Sequence, residues 1–542
     1  MPSFRTPLRR TALLRVLPVA ALLALPLASG TRSEPARASA TQFSIMMDDD
    51  LLLYRSPTVR DIALKRMKNL GVDYVRVTVL WSLVAENARS TPPRRKRFRA
   101  ARPSTYPHHN WDRYDDLVRS AKRVGIGVYF NLTGPGPDFG HSKPPKSQRR
   151  NRRTWKPKAG EFYKFVAAVG TRYSGAYNDE NYDKKPLPRV AFWSLWNEPN
   201  QGGWLTPQWQ FSRKAKRLVP ASPAIYRKLY FFGRRALERT GHGGDVILVG
   251  ETAPLGSRKR SARAPIRPKK FLREMFCVDG AGNPFTGRAS AARGCKDFSR
   301  YGAIRATAWA HHPYTKNLPP NQRDASPDSV TMANIGDLPT LLDTISSRTG
   351  RVATGLGVVS SEFGYETNPP DPFSGIPPDK QAQYINEGDF LAFINPRVYG
   401  QTQFILRDVQ PLANHRLNSK AYWFTYQSGL YTLTDQPKPS AMAYAFPFVA
   451  FPTGTNPETG ATIVSLWGQL RFRPNTETDQ VQIDFYPTGS PTPQPVGDPI
   501  EVPPGRGFFF ATRESPGPGY WRARWVDPAG SPGAASRVVP LG

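Results

Sequence analysis

Two carboxylates stand where apolar runs stop. The stretch FWSLWNEPN (192–200) is apolar or small through Trp196 and then breaks into Asn197, Glu198 and Pro199. Proline cannot continue a strand ladder, so the run ends there. VVSSEFGYE (358–366) ends in the same way on Glu362. Two carboxyl groups facing across a small cleft can divide the work of breaking a glycosidic bond. One stays protonated to assist the leaving oxygen, and the other stays ionised to attack or stabilise an oxocarbenium-like centre. Mutual repulsion and unequal surroundings separate their pKa values.

That division of labour needs a scaffold that brings positions 198 and 362 together. Eight strand-like runs precede residue 410: 42–47, 72–79, 125–132, 189–196, 245–250, 306–312, 355–364 and 400–407. Segments of helical spacing lie between them, among them 58–71 and 112–125, which end on Gly71 and Gly125. Strands alternating with helices in this number predict a (β/α)₈ TIM barrel, an α/β fold. An open doubly wound sheet is the competing architecture, and the first strand is followed by no glycine-rich phosphate loop. In a barrel, active-site residues project from the C-terminal strand ends, so Glu198 on the fourth strand and Glu362 on the seventh face one another.

The texture changes after about residue 450. Runs at 461–473, 480–487, 507–513 and 519–527 are β-rich and separated by Pro/Gly turns, which predicts an all-β, sandwich-like domain over 451–542. The expected barrel occupies 41–450. Residues 1–40 read as a signal peptide. Arg5, Arg9, Arg10 and Arg15 form a basic front, LPVAALLALPLA (17–28) an apolar core, and Ala38-Ser39-Ala40 a cleavage site. The apolar run is short for a membrane-spanning anchor, and no later stretch is long and apolar enough to span. The expected location is therefore secreted or envelope-associated. Cys277 and Cys295, the only two cysteines, are expected to pair in such a compartment.

Several of these elements resemble a known group. RVAFWSLWNEPN resembles the fourth-strand motif of the clan A glycoside hydrolases, the superfamily that holds the family 5 and family 39 enzymes, and VVSSEFGY resembles its seventh-strand motif. WAHHPYT (309–315) is similar to the sixth-strand segment, and 424–447 to a post-barrel segment of actinobacterial members. The likeness spans about 42–450. It implies a retaining mechanism with Glu198 as acid/base and Glu362 as nucleophile. It also implies Asn197 on the sugar 2-hydroxyl, Arg76 supporting the nucleophile, and His312 and Tyr314 near it. Asn131 and Trp204 complete the expected substrate-binding set. No cofactor and no metal are expected. One departure stands out: the clan often carries a tryptophan on the eighth strand, and QTQFILRD (401–408) has none.

Plainer readings exist for each feature. Asn-Glu-Pro is also an ordinary helix start. Glu251, ending the fifth strand, is a rival carboxylate and is read here as structural. Asp48, Asp49 and Asp50 have no calcium-loop spacing and are read as a solvated turn. His311 and His312 are adjacent on a strand and point apart, which argues against a shared metal. For Trp81, Trp111, Trp155 and Trp309, as for Trp204, core packing competes with sugar stacking.

Charge supplies the last clue. The net charge is +33, and removing residues 1–40, with six Arg and one Glu, leaves +28. The stretches 92–103, 143–158 and 258–270 hold six, eight and seven Lys/Arg and no acid. They follow the second, third and fifth strands, so all three are expected on the catalytic face. The expected partner is a carbohydrate, with an anionic cell-envelope glycan as one candidate. Nucleic acid is a weak alternative in an exported protein. A non-catalytic protein binding carbohydrate or anionic polymer on the same fold is the alternative to an enzyme.

Overall fold

The computed structural model describes Ser39 and residues 41–181, 185–474, 476–530 and 533–541. Apart from Ser39, the expected signal peptide lies outside the described residues. The eight expected strands all form and close into one parallel barrel. They are β1 (Phe43–Met47), β2 (Tyr74–Leu80), β3 (Gly127–Thr133), β4 (Phe192–Leu195), β5 (Val246–Thr252), β6 (Ala308–His311), β7 (Gly357–Ser360) and β8 (Val398–Phe404). β8 pairs back onto β1, Phe43 opposite Gly400 and Met47 opposite Phe404.

Side-chain alternation explains which residues reach the barrel interior. On β2, Val75, Val77 and Val79 pack outward against the helices, so Arg76 and Thr78 point inward. The lower interior is filled by Ile45, Tyr129, Phe192, Leu248, Ala308, Ala310 and Val359. An apolar plug of this kind leaves the polar inward residues near the C-terminal strand ends. The helices start and stop on local chemistry. Pro57–Asn69 opens with Ser56 accepting from the Val59 N–H and Pro57 in its first turn. Asp112–Val124 closes on Gly125, whose φ of 71° lies in the left-handed region.

The C-terminal segment forms two antiparallel sheets. One contains β9 (Phe448–Thr455), β10 (Thr462–Gln469) and β12 (Phe508–Glu514). The other is built on β11 (Asp479–Pro487) and β13 (Gly519–Trp525). They pack face to face through Phe448, Val464 and Leu466 on one side and Val481, Ile483, Phe485 and Trp521 on the other. This pair of sheets rests on the barrel end away from the cleft. Trp467 and Phe508 pack on Phe393 of helix Pro378–Phe393. Arg471 pairs with Asp389 at 3.1 Å, both buried, and Arg506 with Asp73 at 2.6 Å, just before β2 begins. Cys277 and Cys295 form a disulfide.

The triple aspartate is not a solvated turn. Asp48 is fully buried and caps helix Asp49–Leu53, accepting from the Leu51 N–H at 3.0 Å. Its other oxygen accepts from the Leu406 and Arg407 N–H groups at 3.2 and 3.1 Å, tying the end of β1 to the chain leaving β8. Burial pushes the Asp48 carboxyl up to about 7 against those hydrogen bonds. Asp48 can go inside because a helix N-terminus and the strand exit at Leu406 and Arg407 supply its donors, while Asp50 stays nearer the surface beside Arg55.

Candidate active site

The cleft opens at the C-terminal strand ends as a cavity of about 470 Å³. Glu198, Glu362, Asn197, Trp204, Tyr314 and Asp49 line it, with Phe404, Ile405 and Tyr426 as an apolar wall. Glu198 and Glu362 come together as expected. Oxygens from both carboxyls and a His312 ring nitrogen all lie within 4.8 Å of one another.

The backbone at these positions is unusual. Trp196 and Glu198, just past β4, have φ of 75° and 36°, and Glu251 on β5 has 49°. Such left-handed values cost free energy for side chains other than glycine, on the order of 1–3 kcal/mol each, and persist where the surroundings enforce them. At Glu251 the cause is visible in the pairing. Gly250 sits opposite Ala310 and Thr252 opposite His311, so Glu251 is the extra residue of a bulge. The bulge turns the Glu251 side chain into the barrel.

There Glu251 is wholly buried and its two oxygens are saturated. Oε1 accepts from the Tyr129 hydroxyl, from Ser194 Oγ at 2.5 Å and from Asn131 Nδ2 at 3.4 Å. Oε2 accepts from Ser361 Oγ at 2.6 Å and Arg76 Nη2 at 3.2 Å, and meets His312 Nε2 at 2.8 Å. Burial alone would raise this carboxyl, but Arg76, His312 and the hydroxyls overcome it and hold it well below the usual carboxylate range. Glu251 is thus a fixed anion beneath the cleft. It holds Arg76 and His312 in place and does not line the cavity.

Arg76 connects the floor to the cleft. It is fully buried, donating to Glu362 Oε1 at 2.9 Å and Asn197 Oδ1 at 3.0 Å as well as to Glu251. His312 is also fully buried. Its Nδ1 faces Glu198 Oε1 at 3.0 Å and Glu362 Oε2 at 3.4 Å, while Nε2 faces Glu251. Burial opposes an imidazolium, but Glu362, Glu198 and Glu251 outweigh it and raise its pKa to about 10. Both ring nitrogens can then donate, Nε2 to Glu251 and Nδ1 toward Glu198 and Glu362. Tyr314 Oη donates to Glu362 Oε2 at 3.2 Å. Burial raises the Glu362 carboxyl above its ordinary value, against the pull of His312 and Arg76, with Glu198 and Glu251 adding to the rise. The Arg76, Tyr314 and His312 donors around it favour the ionised form that burial opposes.

Of the expected site residues, Asn197, Arg76, His312, Tyr314 and Trp204 gather with the two glutamates. Asn131 does not reach the cleft. It is fully buried, donating to Ser194 Oγ at 2.8 Å and to Glu251, one layer below. Trp81, Trp111 and Trp309 are core side chains, and Trp155 is nearly buried. His311 points away, as adjacent strand residues must, to Thr252 Oγ1 and the Val330 carbonyl. Phe404 and Ile405, at the end of β8, supply the wall where a tryptophan is absent, and Tyr426 joins them. Asp49 was missed as a lining residue. It accepts from the Thr78 N–H at 3.0 Å, and burial pushes it up to about 6.

Beyond the wall lies a second lobe of about 400 Å³ that shares Tyr314, Phe404 and Tyr426 with the first. Glu366 lines it, and burial, helped by neighbouring Asp371, pushes its carboxyl up to about 7.

The trio Glu198, His312 and Glu362 also has the donor types to hold a divalent cation through His312 Nδ1. That would require His312 to give up a proton that the three carboxylates retain to about pH 10.

No family model matches the chain, and no curated protein does. Solved structures do share its architecture distantly. A family 39 glycoside hydrolase from the gut symbiont Bacteroides cellulosilyticus WH2 is 12% identical, with a TM-score of 0.45 over 89% of this chain and 83% of that one. A GH5_18 protein from Streptomyces cattleya, in complex with GlcNAc, is 16% identical, with a TM-score of 0.40 over 75% and 79%. The exo-beta-1,4-mannosidase Op5Man5 from Opitutaceae bacterium strain TAV5 is 14% identical, with a TM-score of 0.38 over 75% and 60%.

Proposed function

We propose that this chain is an exported glycoside hydrolase that cleaves O-glycosidic bonds of an oligo- or polysaccharide by double displacement. The observation that carries this is the spacing of Glu198 and Glu362. Oxygens of the two lie within 4.8 Å. Retaining glycosidases hold their carboxyls about 5–5.5 Å apart, and inverting ones leave about 6.5–9.5 Å for a water.

In this reading Glu362 is the nucleophile. Arg76 and Tyr314 hold it from two sides, and its side chain is 11% exposed against 20% for Glu198. Glu198, nearer the opening, is better placed to exchange protons with substrate and water. Glu362 attacks the anomeric carbon while Glu198 passes its proton to the departing oxygen. Water then enters, Glu198 takes its proton, and the glycosyl ester on Glu362 is cleaved. Asn197, oriented by Arg76, faces the cavity as a partner for a sugar hydroxyl. Trp204 and the wall of Phe404 and Tyr426 offer ring faces. The second lobe leaves room for substrate beyond one sugar ring.

The test is a panel of aryl glycosides followed by proton NMR, with Glu198→Ala and Glu362→Ala beside the wild type. Release with retained anomeric configuration, abolished by Glu362→Ala, supports the proposal. Release with inversion, or turnover indifferent to both substitutions, refutes it.

We further read the substrate as lying in or near negative charge, as in an anionic envelope glycan. The loops 92–103, 143–158 and 258–270 follow β2, β3 and β5, on the cleft side. Among the described residues, only Arg152 and Lys269 of their cations form ion pairs, with Asp138 and Asp337. Turnover of an anionic glycan should fall with added salt, while turnover of a neutral aryl glycoside should not.

A further inference from the structure

The chain between Glu198 and the next helix contains a feature that the cleft chemistry does not use. Strands Trp209–Ser212 and Arg217–Pro220 form an antiparallel hairpin. Its turn carries Arg213, Lys214 and Lys216, and Arg217 opens its second strand, with no acid anywhere in 206–220. Among the described residues none of these four cations is ion-paired. Phe211 and Leu218 lie directly opposite each other in the register and are 59% and 39% exposed. Two large apolar side chains are thus displayed together beside four unpaired charges.

The hairpin is firmly mounted. Trp209 at its base is buried beneath Arg260 and Lys270, whose cationic groups lie 5.4 and 5.5 Å from its ring centre. The Gln208 N–H donates to the Ala262 carbonyl at 2.8 Å, and the Lys156 N–H to the Thr206 carbonyl at 2.7 Å. The basic loops 143–158 and 258–270 therefore clasp the hairpin base, and Arg263 bridges them to each other through Asn151 at 2.7 Å. Because the whole segment leaves β4 on the cleft side, the hairpin and the mouth share one face of the barrel.

We propose that this hairpin docks the protein on an anionic lipid bilayer, with Phe211 and Leu218 entering the interface and the four cations, backed by the basic loops, meeting lipid phosphates. Docking would turn the cleft toward the surface and its attached saccharides. The pattern selects this occupant. Apolar side chains flanked by Lys and Arg suit an interface where the rings and methyls go in and the charges stay with the headgroups. Anionic leaflets attract such a patch, and neither signal alone holds firmly. A second copy of the chain would bring like charges together. A soluble polyanionic glycan would be held by the cations and gain nothing from Leu218.

The test is co-sedimentation of the full chain with vesicles of equal parts phosphatidylglycerol and phosphatidylcholine, against vesicles of phosphatidylcholine alone. Binding is expected to the mixed vesicles only. The pair Phe211→Ser/Leu218→Ser should weaken it by about tenfold or more. A quadruple Gln variant at 213, 214, 216 and 217 should do likewise. Thermal unfolding and aryl-glycoside turnover should stay unchanged in both variants, which separates this proposal from the catalytic one. Absence of vesicle binding overturns it. So does binding that Phe211→Ser/Leu218→Ser leaves intact, since the surface would then be a charge patch for polyanions alone.

Discussion

His312 Nε2 lies 2.8 Å from Glu251 Oε2, a contact between two wholly buried side chains one layer beneath the cleft. Glu251 is thereby the anion on which the cationic half of the site is built. Arg76 and His312 both lean on it; Arg76 reaches up to Glu362, and His312 to Glu198 and Glu362. The proposed chemistry would therefore rest on this third glutamate, which does not itself line the cavity.

Removing Arg76 should therefore cost stability as well as activity. Arg76→Met leaves Glu251 and Glu362 buried with His312 as their one remaining shared cation, and breaking a buried pair in this way costs about 3–5 kcal/mol. Urea unfolding should show a loss of that size, with kcat falling alongside. A variant as stable as the parent would mean that Arg76 is not what compensates these carboxylates.

The pH dependence of stability should carry the signature of His312. Its pKa is raised from 6.5 to about 10 in the folded chain, so the folded state binds the proton more tightly. The contribution is whole below about pH 6.5 and is lost as pH rises toward about 10. The stability gap between wild type and His312→Gln, on the order of a few kcal/mol, should narrow across that window. A gap that widens with pH would show that the imidazole is neutral.

Glu198 and Glu362 should respond differently to the leaving group. Glu198→Ala should lower kcat by about 10²–10⁴ on substrates with poor leaving groups, and far less on an activated aryl glycoside that needs no proton. Glu362→Ala should abolish turnover of both. Equal losses for Glu198→Ala on both substrate types would contradict its role as the proton donor.

Chelation should leave activity unchanged. If His312 stays protonated between Glu198 and Glu251, no divalent ion sits on its Nδ1 in the working state. Turnover after dialysis against EDTA should match the untreated protein. Loss of activity restored by a divalent cation would replace the imidazolium in this account with a metal.

Much of this site could be read from the chain because inward alternation and strand-end position are local signals. VDYVRVTV places Arg76 among outward valines, and FWSLWNEPN and VVSSEFGY deliver their glutamates at strand ends. What escaped the reading depends on tertiary detail. The bulge that turns Glu251 inward is set by the pairing of β5 with β6. Asn131 has the right inward parity, but it sits one layer too deep, level with Ser194. The burial of Asp48 is not legible after β1 because two of its donors, the Leu406 and Arg407 N–H groups, come from far along the chain. Tyr426 reaches the cleft from a segment beyond the barrel strands, which no strand count locates.

Double displacement requires that Glu362 become covalently bonded to the sugar. Incubation with a fluorosugar inactivator of the glycoside that the panel identifies, followed by proteolysis and mass spectrometry, tests it directly. One added glycosyl mass is expected on the peptide containing Glu362, absent when the residue is Ala and released as activity returns. Turnover of the parent glycoside with label on Glu198, on Glu251, or on no residue at all would contradict it.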